Sequence, residues 1–336
     1  RDDKEGGHGM VDMYKSIVES CDTYYYTLAR DMGVDLMHDQ MKPLGFGQIT
    51  GIDILGESRG VLPSTEWKRN TYKKPEQQRW YSGETISLGI GQGYNSFTML
   101  QIAHAMGTVA NNGLKMKPHL VREVVDVETK ASTLVAKEPV GQLPLSPENL
   151  DIIKKGMIGV NIEGTSATSF VGAQYVSAGK TGTAQVFTVK QNEKYNASNI
   201  DERMRDHALF VAFAPADDPK VALAMVVENA GFGAQNAAPI ARRVFDFVIT
   251  GQYPSQEDIE AVQKGQATRP IGKPRPVASV PWPPKAAELA VDEPIAVASA
   301  AEKVASAAAK AASAAAKPAS AAASAAVPKP AVSGAR

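Results

Sequence analysis

Apolar residues recur at helical spacing in four stretches of this chain. Between residues 11 and 32 they are Val11, Tyr14, Ile17, Cys21, Tyr25, Leu28 and Met32, with Gly33 placed as a stop. The spacing predicts two short helices that meet at Ser20-Cys21-Asp22, with Asp22 as N-cap of the second and Cys21 on an apolar face. Thr98 to Ala110 reads as a helix ended by Asn111-Asn112-Gly113. Ser146-Pro147 opens another, to about Val160, with serine as cap and proline in the first turn. Ala237 to Ile249 is amphipathic and would close the domain.

Strand-like stretches lie at Pro118–Val127, Tyr175–Val189, Ala208–Ala216 and Val221–Glu228, the last two joined by the Pro215–Pro219 turn as an antiparallel hairpin. Residues 34 to 95 are rich in Gly, Pro and Tyr and read as a long irregular excursion over one lobe. Helices followed by an antiparallel sheet and a closing helix give an α/β layered domain of α+β type, residues 1–252. From residue 253 to 336 Pro-rich segments lead into Ala/Ser/Lys repeats such as Ala305–Lys310. So few bulky apolar groups cannot offset the entropy of ordering, so this stretch is expected as a disordered tail.

Composition narrows the function classes. The 336 residues are 43% apolar with no net charge, enough for one sizeable core and without the basic footprint of a nucleic-acid binder. No apolar run is long enough to cross a bilayer. A single cysteine excludes an internal disulfide.

The chemistry gathers in two places. Lys180-Thr181-Gly182-Thr183 sits between strand-like residues. Its lysine and hydroxyls suit a substrate carboxylate, and Gly182 lets a substrate backbone approach the strand. About 160 residues upstream stands Ser20-Cys21-Asp22. An S-x-[DN] triplet followed by K-T-G belongs to the motif set of penicillin-binding proteins and class A β-lactamases. Gly7-His8-Gly9, Ser20 to Tyr26, Gly51-Ile52-Asp53, Gly89 to Tyr94, Lys180 to Gln185 and Arg205-Asp206-His207 occur in order along residues 1 to about 250. In these the chain resembles the transpeptidase domain of penicillin-binding protein 2, the elongation-specific class B group.

That resemblance implies the penicillin-recognising serine hydrolase fold and a peptidoglycan D,D-transpeptidase that cross-links stem peptides and binds β-lactams. Ser20 would shuttle a proton, Asp22 would accept from the substrate amide or the motif lysine, and Lys180 would supply positive potential. Thr181 and Thr183 would bind the carboxylate, with the Thr183 N–H as an oxyanion donor, and Gly91, Gln92 and Gly93 would form the pocket rim. The S-x-x-K motif has one match in the sequence, Ser177 to Lys180, which shares its lysine with K-T-G and reads as accidental. With Arg1-Asp2 at the start, the chain is expected to be a piece beginning downstream of its nucleophile and inactive alone. Alternatives are a D,D-carboxypeptidase or β-lactamase relative and a non-catalytic scaffold.

Asp2, His8 and Cys21 carry zinc-ligating groups, although a lone cysteine is more often a small buried hydrophobe. The subset of the group that shares these three residues implies one Zn²⁺, with its fourth ligand ahead of Arg1 and weak binding by this chain alone. The resemblance further implies an N-terminal inner-membrane anchor, a periplasmic domain, and the rod-shape SEDS glycosyltransferase and elongasome as partners. His207 is expected to be structural.

Overall fold

A computed structural model describes Lys4 and residues 6–186, 200–264, 266 and 268–280. The expected pair of helices forms at the start, α1 (Met13–Val18) and α2 (Asp22–Met32). The N-cap of α2 is Cys21 rather than Asp22. Asp22 is the first helical residue, where its carboxylate still faces the positive end of the helix. Gly33, at φ 74°, ends α2 in a conformation that side chains disfavour.

The stretch 34–95 is more ordered than its composition suggests. It holds α3 (Val34–Met41), α4 (Thr65–Thr71), α5 (Pro75–Gln78) and α6 (Ser82–Leu88). Short helices here depend on caps rather than on length: Ser64 Oγ accepts from Trp67 N–H, and the Glu84 carboxylate accepts from Tyr81 N–H. The helix predicted after Thr98 is α7 (Met99–Ala110), with a capping box formed by Thr98 and Gln101. Gln101 is fully buried, and its side-chain amide donates to the carbonyls of Gln48 and Arg59 at 2.6 and 2.7 Å, tying the excursion to α7.

Of the strand expected over Pro118–Val127, only Glu123–Val125 forms. Four short strands follow α7: β1 (Leu114–Met116), β2 (Glu123–Val125), β3 (Ser132–Leu134) and β4 (Pro139–Gln142), pairing β1 with β4 and β2 with β3. The N–H groups of Leu120 and Val121 donate to the Asp53 carboxylate at 2.7 and 2.9 Å, so there they serve a loop contact instead of a ladder.

Helix α8 (Pro147–Ile162) and the short α9 (Ala167–Phe170) precede a three-stranded antiparallel sheet, β5 (Ala178–Ala184), β6 (His207–Ala214) and β7 (Val221–Val227), in that order. The expected reach of the first strand to Val189 is too long: the β5–β6 ladder stops at Ala184, and residues 187–199 lie outside the described residues. Central β6 buries one face fully and the other in part. Ala208, Phe210, Ala212 and Ala214 pack against Ala237, Ala238, Ala241 and Phe245, the last three on α11 (Ala238–Thr250), which follows the single-turn α10 (Gly233–Asn236). Phe213 turns the other way, onto Met157 and Val160 of α8, Ile17 of α1 and Ala178. Burying each such Phe contributes about 1.5–3 kcal/mol.

The folded part extends past the expected boundary at 252. Residues 252–253 form β8 (Gln252–Tyr253), followed by α12 (Gln256–Gln263) and β9 (Arg275–Pro276), which pairs with β8. The reason is a charge that has to be met: Arg243 on α11 forms a two-bond fork with the buried Asp258 of α12, at 2.6 and 2.9 Å. Residues 281–336, which hold the Ala/Ser/Lys repeats, are outside the described residues.

Three glycines of α8 and the turn after it let α1 lie close. A Cβ on Gly156 would meet Ile17 Cδ1 at 2.9 Å, and one on Gly159 would meet Val18 Cγ2 at 2.6 Å. A Cβ on Gly164 would meet the Val18 carbonyl at 2.5 Å and Val160 Cα at 2.7 Å. Because backbone atoms cannot swing aside, Gly164→Ala should lower the unfolding free energy by about 1–3 kcal/mol. Gly141→Ala, where nothing lies within 4 Å, should cost far less. Urea melts of both variants check this; equal midpoints would show that the α1–α8 contact yields freely.

Candidate active site

Ser20 ends the α1 side of the junction in the left-handed region, φ 56°, a conformation that costs a non-glycine residue about 1–2 kcal/mol. It is held there by two backbone bonds, Ser20 N–H to the Ile17 carbonyl at 3.3 Å and Cys21 N–H to the Ser16 carbonyl at 2.9 Å. The strained turn aims the hydroxyl at β5. Lys180 Nζ donates to Ser20 Oγ at 2.7 Å and to the Thr181 carbonyl at 3.0 Å. Residues 160 positions apart in sequence thus meet through one charge-assisted hydrogen bond. A hydroxyl that accepts from an ammonium keeps its own proton for donation, the property a proton shuttle needs. Asp22 follows at the start of α2.

Strand β5 pairs only with β6 among the described residues, so its other edge has no strand partner there, the arrangement to which an extended backbone adds. Side chains alternate along a strand, which places Thr181 and Thr183 on one face and Lys180 on the other. Thr181 Oγ1 lies 2.8 Å from Thr165 Oγ1, on the turn after α8. A Cβ on Gly182 would sit 3.2 Å from Leu209 Cβ, tight enough that Leu209 would have to give by a few tenths of an ångström. Gly233 at the start of α10 lies against the Gly182 carbonyl, again with no room for a side chain.

The rim expected from Gly91-Gln92-Gly93 is beside this strand. Gln92 Nε2 donates to the Thr183 carbonyl at 3.3 Å, and Gly91 and Gly93 adopt φ values of 80° and 69°. The rim is stitched to α2 as well: a Cβ on Gly89 would meet the Tyr25 carbonyl at 2.5 Å. Behind it the buried Lys68 pairs with Glu84 and lies 5.3–5.4 Å from the ring centres of Trp80, Tyr81 and Tyr94. Burial works to raise the Glu84 carboxyl, but its hydrogen bonds from Lys68, Tyr81 N–H and Tyr94 outweigh that and hold it below its ordinary value. The Tyr94 phenol is pushed upward by burial and by Glu84. Sequence reasoning passed over this box, because a lysine and a glutamate sixteen positions apart read as solvated charges.

The S-x-x-K match at Ser177 is not a nucleophile–base pair. Ser177 Oγ accepts from Asn161 Nδ2 at 2.8 Å in a buried position, while Lys180 reaches Ser20. His207 Nδ1 accepts from Asn229 N–H at 2.9 Å, tying the start of β6 to the turn after β7.

His8 and Cys21 line one open cavity of about 590 Å³ with Val11, Thr23, Tyr24 and Thr27. Cys21 is buried, and the His8 side chain is 5% exposed with Nε2 3.8 Å from the Glu19 carboxylate. Asp2 lies outside the described residues, among which no cluster of three metal-ligating side chains occurs. Helix α2 carries no span long and apolar enough to cross a membrane, nor does any other helix among the described residues.

Residues 1–246 match the family described as the penicillin binding protein transpeptidase domain. The chain is 42% identical over 266 residues to the peptidoglycan D,D-transpeptidase MrdA of Haemophilus influenzae, covering 76% of this chain and 39% of that protein. It therefore spans about two-fifths of the length of such curated relatives. Its fold is similar to Pseudomonas aeruginosa PBP2 in complex with WCK 5153 (TM-score 0.60, 37% identity, 73% of this chain and 49% of that one). It is also similar to PBP2 of Helicobacter pylori in its complex with MreC (TM-score 0.60, 28% identity, 75% and 42%).

Removing the cation tests the site. Lys180→Ala should weaken binding of a short peptide ending in a free carboxylate at least about tenfold, because the ammonium acts in a partly desolvated cleft. The melting temperature should fall by no more than a few degrees, as expected for a lysine outside the core. NMR titration and thermal melts of the same samples check it. Parental affinity in Lys180→Ala would remove Lys180 from the site, and a collapse of melting temperature would make its role structural.

Proposed function

The chain belongs to the penicillin-binding protein transpeptidase domain family, and from that premise we propose that it forms the substrate-holding part of a peptidoglycan D,D-transpeptidase active site. The observation that carries the proposal is the 2.7 Å contact between Lys180 Nζ and Ser20 Oγ, which joins the two motifs in one cleft. In this reading a stem peptide ending in D-Ala-D-Ala, or a β-lactam in its place, pairs its backbone with the open edge of β5. The hydroxyls of Thr181 and Thr183 donate to the terminal carboxylate, while Lys180, on the other face of β5 but with Nζ at the Thr181 carbonyl, adds positive potential. The Thr183 N–H meets the developing oxyanion; loss of one such donor typically costs about 3 kcal/mol of transition-state stabilisation. When a serine nucleophile from outside these residues adds to the carbonyl, Ser20, held by Lys180, is placed to hand its proton to the leaving nitrogen and to regain one from that nucleophile's base. Gln92 holds the rim against Thr183.

The sequence offers no S-x-x-K pair for acylation other than Ser177 to Lys180, where Ser177 is committed to Asn161, and the Ser20–Lys180 pair is assigned here to proton transfer. The 336-residue chain should therefore hold a fluorescent penicillin without forming a covalent adduct, and D-Ala-D-Ala peptide should compete for it. Fluorescence anisotropy reads the binding, and a denaturing gel reads the adduct. A covalent band, whether at Ser20 or at Ser177, would overturn this reading.

We extend the proposal to a zinc ion beside the site. His8 and Cys21 fit it by chemistry, an imidazole and a thiol facing one cavity with little exposure. The Glu19 carboxylate lies 3.8 Å from His8 Nε2, beyond hydrogen-bond length. Asp2 would be the third ligand. Zinc there would act as a structural clamp on Cys21, the residue next to Ser20. Zinc uptake, measured by competition with a chromophoric chelator, should drop at least about tenfold in Cys21→Ala. Equal uptake would leave Cys21 a core residue.

For its setting, we place the domain on the periplasmic face of the inner membrane, working beside a SEDS glycosyltransferase within the elongation machinery. The support is the family resemblance and the H. pylori neighbour, whose complex contains MreC.

A further inference from the structure

We propose that Thr165 is a positioning residue that aims the Thr181 hydroxyl at an anion on the open edge of β5. The inference rests on the reading of Thr181 as a carboxylate donor given above. The two hydroxyl oxygens are 2.8 Å apart, and either can donate. A threonine hydroxyl carries one hydrogen and two lone pairs. If Thr181 donated to Thr165, it would have no hydrogen for a ligand. With a carboxylate present, the arrangement that gives every hydrogen an acceptor is Thr165 O–H to Thr181 Oγ1, then Thr181 O–H to the anion. In such a chain each bond polarises the next.

The turn that carries Thr165 is built to hold it still. Ser166 Oγ donates to the Asn161 side-chain oxygen at 2.6 Å, and Asn161 Nδ2 donates to Ser177 Oγ at 2.8 Å, directly before β5 begins. On the other side Tyr14 O–H donates to Glu163 at 2.6 Å, and Gly164 lies against the Val18 carbonyl. The anchors on both flanks are buried or interhelical, whereas Thr165 itself is exposed. An exposed hydroxyl pair adds little to stability, so the fold gains little from this contact.

Thr165→Val keeps the β-branched shape and removes the hydroxyl. In the 336-residue chain it should weaken an acetylated Lys-D-Ala-D-Ala peptide about three- to tenfold, with the melting temperature unchanged. Binding of the same peptide ended by an amide should not change, and Thr165→Ser should restore the parental affinity. Thr181→Val should show at least the same loss, and the double variant should lose no more than Thr181→Val alone. Without any ligand, three-bond couplings at Thr181 should report one χ1 rotamer in the parent and averaging in Thr165→Val. If the parent binds acid and amide alike, the carboxylate reading of Thr181 fails and this inference falls with it. If the parent prefers the acid and Thr165→Val keeps that preference, only the role of Thr165 is overturned.

Discussion

The close seating of α1 on α8 is the constraint from which the site follows. Ser20 cannot reach Lys180 unless the end of α1 comes within van der Waals contact of α8, and side chains at positions 156, 159 and 164 would forbid it. The same α8 ends in the turn that touches Thr181 and, through Asn161, the start of β5. One helix therefore gauges both halves of the cleft. The strained backbone of Ser20 is tolerated because packing on one side and the lysine on the other leave it no alternative well.

The strong periodic elements were legible in the sequence. The helices after Thr98 and Ser146, the sheet hairpin and the closing helix all lie within a few residues of where apolar spacing and caps put them. Ser20 and Lys180, each singled out by its motif, are brought within 2.7 Å of each other. What spacing could not show is whatever depends on a distant partner. Asp258 looks like a solvated helix residue until Arg243 is placed beside it, which is why the domain edge was set too early. Leu120 and Val121 look like strand until Asp53 claims their amides. Thr165 carries no local signal at all.

The excursion between α3 and α7 illustrates how a polar segment can be rigid without a large apolar core. A buried lysine–glutamate pair is costly to desolvate, and removing one partner leaves a stranded charge. Here Glu84 also accepts from Tyr94 O–H and Tyr81 N–H, Lys68 donates to the Arg79 carbonyl, and three rings surround the ammonium. Few polar atoms of the box are left unmatched, so it specifies one arrangement. Tyr94 is a single residue from Gly93, which makes the box the foundation on which Gln92 reaches Thr183.

The 160-residue separation of Ser20 and Lys180 also bears on how the molecule folds. Contacts so distant along a chain form only after the intervening loop has been closed, and a fold with a larger share of them folds more slowly. The cleft draws on four segments, around residues 20, 92, 165 and 180, and no local unit contains two of the first three. A partly folded chain can hold native helices and even the central hairpin while possessing no cleft. Ligand capture is then a readout of the complete tertiary structure, and binding competence should appear as the last event of folding rather than growing with secondary structure.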